Sequence, residues 1–347
     1  MNKTDLTNLS LSQLTEFLVK LGLPKYRGIQ VFAWLYRPHV TDFSQMTDLP
    51  KDLRDTLADR AGFNWPYIAE IERATDGVAK YGFKLKDDNY IEAVLIPEED
   101  RNTLCVSTQV GCAMGCGFCL TGSIGFKRNL TPGEIVGQVV RVRDWLLDRN
   151  EVTAGLNNIV FMGMGEPLAN FDNLLVALDI LVEQRGLDFS ERRITVSTCG
   201  LVPKIIELGQ KTKVNLAVSL HSVDDSIRSK LMPINNKYPV AELLEACRNF
   251  PMPKRKRIMF EYILIKGVND SEADARRLAQ QLKGIPCKIN LLPYNESESL
   301  SYRRPSDETI EYFQQTLWNE GYTVLIRASR GSEISAACGQ LAGKIIS

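Results

Sequence analysis

From Thr103 onward, short apolar runs alternate with stretches of helical spacing, and this alternation leaves few folds open to the chain. Strand-like runs at 104–110, 158–162, 193–197, 214–219, 258–265, 288–292 and 323–326 are separated by helical patterns at 132–147, 170–183, 203–211, 239–248, 271–283 and 306–319. A strand covered on both faces reads as a continuous apolar run, and a helical crossover returns the chain to pair in parallel. The expected class is therefore α/β: six or so βα units forming a parallel sheet covered by helices, with ligand-binding groups at the C-terminal ends of the strands. Ahead of this core, short helical patterns at 10–20, 27–36 and 50–61 predict a small helical domain over 1–66, with Leu11, Leu14, Phe17 and Leu18 on one apolar face. Residues 67–97 alternate in hydrophobicity, and runs at 80–86 and 90–96 around Asp87, Asp88 and Asn89 predict a β-hairpin extension. The core then occupies 98–347.

Cys112, Cys116 and Cys119 form a CxxxCxxC spacing in a Gly-rich loop directly after the predicted strand 104–110. An electron-transfer cubane is normally closed by four cysteines, so three thiolates leave one iron open. An open iron binds an outside amine and carboxylate, and S-adenosylmethionine offers both. A zinc knuckle would want a fourth Cys or His nearby, and the next cysteine is Cys199. Phe118 is placed to shield a cluster from water.

Other polar groups recur at predicted strand ends. In Phe161-Met-Gly-Met-Gly-Glu-Pro167 the glycines allow close backbone approach, and Glu166 can accept from an ammonium. Ser197, Ser219, His221 and Asn295 repeat the theme. Each alone reads as a satisfied loop residue, whereas together they form the rim that a ribose and a carboxylate require. Cys105 opens the predicted strand before the cysteine loop, and Cys338 lies among small residues, Ser335-Ala-Ala-Cys-Gly339, which permit close approach. On the residues alone both read as buried, inert cysteines, as do Cys199, Cys247 and Cys287. Glu92 likewise reads as a solvent-facing strand carboxylate.

Lys plus Arg and Asp plus Glu each total 42, so no global positive field draws in nucleic acid. Any RNA surface must be local, at Lys254-Arg-Lys-Arg257, Lys127-Arg128, Arg303-Arg304 or Arg327 with Arg330. Eight cysteines among 347 residues are too sparse for a disulfide scaffold. No apolar run reaches roughly 18 residues and the first residues lack a signal-peptide pattern, so a cytoplasmic protein with no membrane contact is expected.

Several stretches are similar to those of one enzyme family. Val106-Ser-Thr-Gln-Val-Gly-Cys112, Arg128-Asn-Leu-Thr-Pro132, Met162-Gly-Met-Gly-Glu-Pro167, Arg228-Ser-Lys-Leu-Met-Pro-Ile-Asn235 and Ala337-Cys-Gly-Gln-Leu341 resemble the radical S-adenosylmethionine enzymes that methylate adenine in ribosomal and transfer RNA. The resemblance covers nearly the whole chain. Pro167 and the stretch Ser301-Tyr-Arg-Arg-Pro-Ser306 look like the branch acting at C2 of adenine in both 23S rRNA and tRNA; the antibiotic-resistance branch acting at C8 is the alternative.

The resemblance implies a partial (β/α)6 radical-SAM barrel and a 4Fe-4S cluster on Cys112, Cys116 and Cys119. It implies an S-adenosylmethionine site lined by Gly165, Glu166, Ser197, Ser219, Leu220, His221 and Asn295. Cys338 would carry the methyl group in a ping-pong reaction using two S-adenosylmethionine molecules. Glu92 would take the C2 proton, and Cys105 would release the product by forming a disulfide with Cys338. The implied targets are an adenine of the peptidyl-transferase centre and the adenine beside the anticodon. The implied partners are an electron donor such as flavodoxin and a thiol reductant, with the chain acting as a monomer and its N-terminal domain contacting RNA.

Overall fold

The computed structural model describes residues 3–37, 40–148, 155–253, 256–296 and 300–341. Lys254 and Arg255 of the basic run lie outside them. The βα alternation builds one ten-stranded sheet. Its parallel part runs in chain order through Arg101–Cys105, Leu156–Phe161, Ile194–Thr198, Asn215–Ser219, Ile258–Leu264, Cys287–Pro293 and Val324–Ile326. Each of these strands pairs with its successor. The covering helices are Pro132–Asp148, Phe171–Val182, Val202–Lys211, Val240–Arg248, Glu272–Gln281 and Asp307–Asn319. Strand residues such as Ile159, Phe161, Val196, Phe260 and Leu291 are fully buried, each contributing about 1.5–3 kcal/mol by leaving water.

Local signals set the helix starts. Ser306 accepts from the Thr309 amide at 3.2 Å, and Ser271 and Asp274 form a reciprocal capping box. Pro132 and Pro203 stand in first turns, where a missing N–H costs nothing.

Two strand expectations are corrected. The run 104–110 is not one strand: Arg101–Cys105 ends the main pairing, and Gln109–Gly111 pairs antiparallel with Phe126–Asn129. Between them the Ser107 amide donates to Gln138 Oε1 at 2.8 Å, and Gln138 Nε2 donates back to the Ser107 carbonyl at 2.9 Å. A buried side-chain amide thus replaces the strand ladder. Cys105 consequently closes a strand rather than opening one.

The extension has three antiparallel strands rather than two, Tyr67–Arg73, Ala79–Lys84 and Tyr90–Glu98. It continues the main sheet, with Val94 opposite Cys105. Tyr67–Arg73 escaped the sequence reading because it is the sheet's edge and none of its residues is fully buried, so its pattern is weak.

The N-terminal domain, with helices Leu11–Lys20, Tyr26–Tyr36 and Lys51–Arg60, meets the helix Pro132–Asp148 through the turn Leu6–Asn8 and through Tyr36. Asn8 Oδ1 accepts from the Gly133 amide at 2.9 Å, and Arg143 donates to the Tyr36 carbonyl at 2.7 Å. Leu14, Leu18, Val31 and Phe32 are continuous with the barrel's hydrophobic core. Among the described residues no helix is long and apolar enough to cross a membrane.

Candidate active site

The C-terminal strand ends open into a cavity holding about 940 Å³ of space, its mouth included. Cys112, Cys116 and Cys119 lie on one side of it, with Gly165, Glu166, Ser197, Ser219 and His221 at the strand ends and Cys338 and Gly339 closing another wall. The cysteine loop and the C-terminal segment touch directly, since the Leu120 amide donates to the Gly339 carbonyl at 2.8 Å.

The wall around Glu166 depends on two glycines. Residues 163–166 zip against 106–109: Gly163 donates to the Val106 carbonyl at 3.1 Å, Thr108 to the Met164 carbonyl at 2.8 Å, and the Glu166 amide to Gln109 Oε1 at 2.8 Å. A Cβ on Gly163 would stand 2.7 Å from Ser107 Oγ. A Cβ on Gly165, whose φ is +93°, would stand 2.4 Å from the Gln109 Cβ. Neither position accepts a side chain.

Glu166 is buried, with Oε1 accepting from the Leu168 amide at 3.0 Å and Oε2 from the Cys199 amide at 2.8 Å. The Thr198 and Cys199 side chains also donate to this carboxylate, which lines the cavity. Burial pushes this carboxyl's pKa up, against those same amides.

Arg228, with no exposed surface, binds strand-end carbonyls together. Its guanidinium donates to the Leu220, Cys199 and Ser219 carbonyls at 3.0, 2.7 and 3.2 Å and to Asn235 Oδ1 at 2.9 Å. His221 sits at φ +59° and its Nδ1 accepts from the Ile263 amide at 3.1 Å, which leaves the ring proton on Nε2. Burial, with Arg228 adding, lowers its pKa to about 3, so the ring is neutral. Phe118 meets it edge-on, ring centres 4.7 Å apart.

The thiols Cys112, Cys116 and Cys119 share this wall, but among the described residues no three His, Cys, Asp or Glu groups converge as one metal ion would require. A cubane takes each thiolate on a separate iron, so thiols spread along a cavity wall suit it. Burial pushes the Cys112 thiol up to about 11 and raises Cys116 as well. Ligation to iron would hold such thiols deprotonated.

The remaining expected site residues divide. Cys338 is exposed at the cavity mouth yet crowded by protein, and the resulting desolvation raises its pKa; residue exposure governs its access. Cys105 is buried nearby, pushed up to about 12 by burial and then by the Cys338 charge. Asn295 donates to the Cys338 carbonyl at 3.4 Å, touching the segment rather than the cavity wall. The Leu220 side chain is fully buried. Glu92 is not solvent-facing: it is buried beside Lys80, 3.7 Å from its ammonium.

Sequence reasoning passed over Arg228, Cys199, Glu261 and Arg327 as members of this site. Cys199 is buried as expected, and it also lines the cavity. Glu261 is buried with Oε1 held by Asn290 at 2.9 Å, and Oε2 has no hydrogen-bond partner among the described residues. Its signal was one acid inside the apolar run Ile258–Leu264.

Several basic groups expected at a nucleic-acid surface are committed elsewhere. Arg128 spans Asp87 at 2.6 Å and Glu134 at 2.8 Å; this pairing holds Asp87 far below the usual carboxylate range. Arg304 pairs with Asp307, Arg330 with Asp76, and Lys256 donates to the Lys213 carbonyl.

Residues 4–62 match the ribosomal RNA large subunit methyltransferase N-terminal domain, and residues 106–279 match the radical SAM superfamily. The chain is 58% identical to the dual-specificity RNA methyltransferase RlmN of Desulfotalea psychrophila, covering 98% of this chain and 95% of that protein. It is 52% identical to the RlmN of Geobacter sulfurreducens, covering 98% and 92%. Among solved structures, a radical SAM methyltransferase from Sphaerobacter thermophilus superposes with a TM-score of 0.91 at 46% identity, covering 97% of this chain and 99% of that one.

Proposed function

The chain belongs to the radical SAM superfamily and, within it, to the RlmN dual-specificity RNA methyltransferases, and from that premise we propose that it methylates C2 of adenine in 23S rRNA and tRNA. The observation that carries this reading is the single cavity in which the three loop cysteines, Glu166 and Cys338 meet. When bound there, the 4Fe-4S cluster and S-adenosylmethionine supply the radical chemistry that opens an unreactive C–H bond.

Cys112, Cys116 and Cys119 hold the cluster. Glu166 accepts from the S-adenosylmethionine ammonium, and Gly165, Ser197, Ser219 and the neutral His221 offer close backbone approach, hydroxyls and a ring N–H. Leu220, whose amide and carbonyl are tied to Glu261 and Arg228, supports the wall from behind, and Asn295 holds the Cys338 peptide. Cys338 carries the methyl group: its sulfur displaces the methyl from the sulfonium of a first S-adenosylmethionine. C2 of adenine is too poor a nucleophile for that displacement, which is the reason for the detour through sulfur. Once the carbon carried on Cys338 is bonded to C2, Glu92 takes the C2 proton. Cys105 then attacks the Cys338 sulfur, breaking its bond to that carbon, which keeps the electron pair and takes a proton as methylated RNA leaves and a disulfide forms.

The helical module 1–66 contacts RNA, the strands within 67–97 brace the site, and 98–347 carries the chemistry. The target base must leave its stack, because C2 faces inward in a helix. We assign the electron to a donor such as flavodoxin, reopening of the disulfide to a cellular thiol reductant, and the setting to the cytoplasm, with the chain acting as a monomer. Anaerobic reaction of reconstituted protein with S-adenosylmethionine, reductant and unmethylated ribosomal or transfer RNA, followed by mass spectrometry of the digested RNA, tests the reading. 2-Methyladenine is expected. 8-Methyladenine moves the protein to the resistance branch, and no methylated base despite cofactor cleavage overturns the RNA assignment.

A further inference from the structure

Lys80 is a cation where a sheet interior would ordinarily place an apolar side chain. It lies on the strand Ala79–Lys84 with 7% of its surface exposed. Its ammonium donates to the Ile334 carbonyl at 2.6 Å and stands 3.1 Å from Glu72 Oε1 and 3.7 Å from Glu92 Oε1. The ammonium thus has two acceptors within hydrogen-bond distance and a third group in ion-pair range, each from a different part of the chain. Glu72 belongs to the edge strand, Glu92 to the strand beside the one that ends in Cys105, and Ile334 to the segment leading into Cys338.

Lys80 is the deepest of a row of ties between that segment and the extension. Gly331 donates to the Asp76 carboxylate at 2.9 Å, Arg330 to the Asp76 carbonyl at 2.6 Å and to the Pro97 carbonyl, and Thr75 to Glu333. The peripheral ties alone fix where the segment docks. Replacing a whole buried ion pair by apolar residues is often neutral or stabilising, so stability alone does not explain why this cluster of charges is built in. What the ammonium adds is a link between Glu92 and the backbone four residues before Cys338.

We infer that Lys80 is a positioning residue, whose ammonium aligns the Glu92 carboxylate with the Cys338-bearing segment for the step in which adenine loses its C2 proton. The inference rests on the roles given above to Glu92 and Cys338. In that step the proton passes to a Glu92 oxygen and its bonding pair stays with the ring, so nothing is oxidised or reduced. Lys80 donates no proton to the reaction and touches no substrate atom. It holds the base and the methyl carrier in one register.

The test separates the steps in the reconstituted holoenzyme. Methylation of Cys338 by S-adenosylmethionine alone is read by intact-protein mass, the covalent protein–RNA adduct by denaturing gel, and 2-methyladenine by digestion and mass spectrometry. Cys105→Ala, expected to retain the adduct, marks its position on the gel. Lys80→Met is expected to keep the cluster absorbance and the methylated Cys338 mass, to lower the rate of 2-methyladenine formation at least about tenfold, and to accumulate adduct. Lys80→Arg, which restores a cation able to bridge the same groups, is expected to recover to within about threefold of wild type.

If Lys80→Met leaves too many buried carboxylates to fold, Glu72→Gln with Lys80→Met removes one of them and carries the same expectation. A Lys80→Met enzyme within about twofold of wild type overturns the inference. So does one that loses Cys338 methylation together with RNA methylation, because the defect is then structural. A wild-type enzyme that makes no 2-methyladenine overturns the functional reading and this inference with it.

Discussion

Replacing Arg228 by Met removes a buried side chain that joins the ends of two adjacent barrel strands beneath the candidate site. Three acceptors lose their donor, the carbonyls of Cys199 and Ser219 and Asn235 Oδ1, while the Leu220 carbonyl keeps the Ser222 amide at 2.7 Å. Each buried acceptor left unpaired costs about 1–3 kcal/mol, a gross loss of about 3–9 kcal/mol for the three. Against this stands relief from burying a guanidinium, worth several kcal/mol per ion; burial already lowers the pKa of this group. The carbonyls win because strand pairing fixes them and they cannot turn to new donors, which leaves a net loss of about 3 kcal/mol.

Unfolding entropy of about 2.1 cal/mol/K per residue, over a chain of this length, turns that loss into a fall in Tm of about 4 °C. Calorimetry of the cluster-loaded protein under nitrogen measures it, and equilibrium dialysis follows S-adenosylmethionine binding alongside. Affinity falls too, because the Ser219 and Cys199 peptides are part of the cavity wall. Arg228→Lys lies between the two, since one ammonium cannot reach four divergent acceptors. A Tm within about 1 °C of wild type, with unchanged affinity, would refute the reasoning by showing that the acceptors are satisfied without the guanidinium.

Three further outcomes follow from the same geometry. His221 has a folded pKa of about 3 against an ordinary 6.5, so its stabilising contribution is complete above the unfolded pKa and is lost as pH falls from there toward 3. Between pH 7.5 and 5.5 the wild type should therefore lose about 1.4 kcal/mol more than His221→Gln in urea titrations; parallel losses contradict the assignment. Gly165→Ala forces a methyl onto Gln109 at a positive φ, and the cost of about 3 kcal/mol should appear as weakened S-adenosylmethionine binding as well as lower stability. Arg128→Ala should leave the salt dependence of RNA binding unchanged because Asp87 and Glu134 already occupy the guanidinium, whereas a slope reduced by about one would make it a phosphate contact.

The parallel core was legible because its central strands are buried on both faces, as in Ile194–Thr198, where all five residues are buried. The edge strand Tyr67–Arg73 was not, since half-exposed residues carry no burial pattern. The break after Cys105 was hidden for a different reason. It is made by Gln138, 31 positions from Ser107, and a buried amide on a helix looks like any surface glutamine in sequence. The loop cysteines and Glu166 announced themselves through spacing and glycines. Arg228 and Lys80 did not, because an isolated cation reads as surface until the fold shows what encloses it. Glu92 shows the same limit for acids: its neighbours across the sheet, not its own strand, take it out of water.

The thiols on which the proposed chemistry turns are held back by the surroundings that bring them together. Burial pushes Cys105 up to about 12, and the charge on Cys338 adds to it. Cys338 is itself raised by desolvation and by Glu261, with Arg327 pulling the other way in both cases. Only the thiolate is a competent nucleophile, and each unit of upward shift removes about nine-tenths of it at neutral pH. A positive charge entering the cavity therefore acts on reactivity more strongly than any change in access. On the proposed reading the methyl donor brings that charge with it, as a sulfonium, and loses it when the methyl leaves. Cys338 is then favoured as thiolate while donor fills the site and returns to its resting protonated preference afterward.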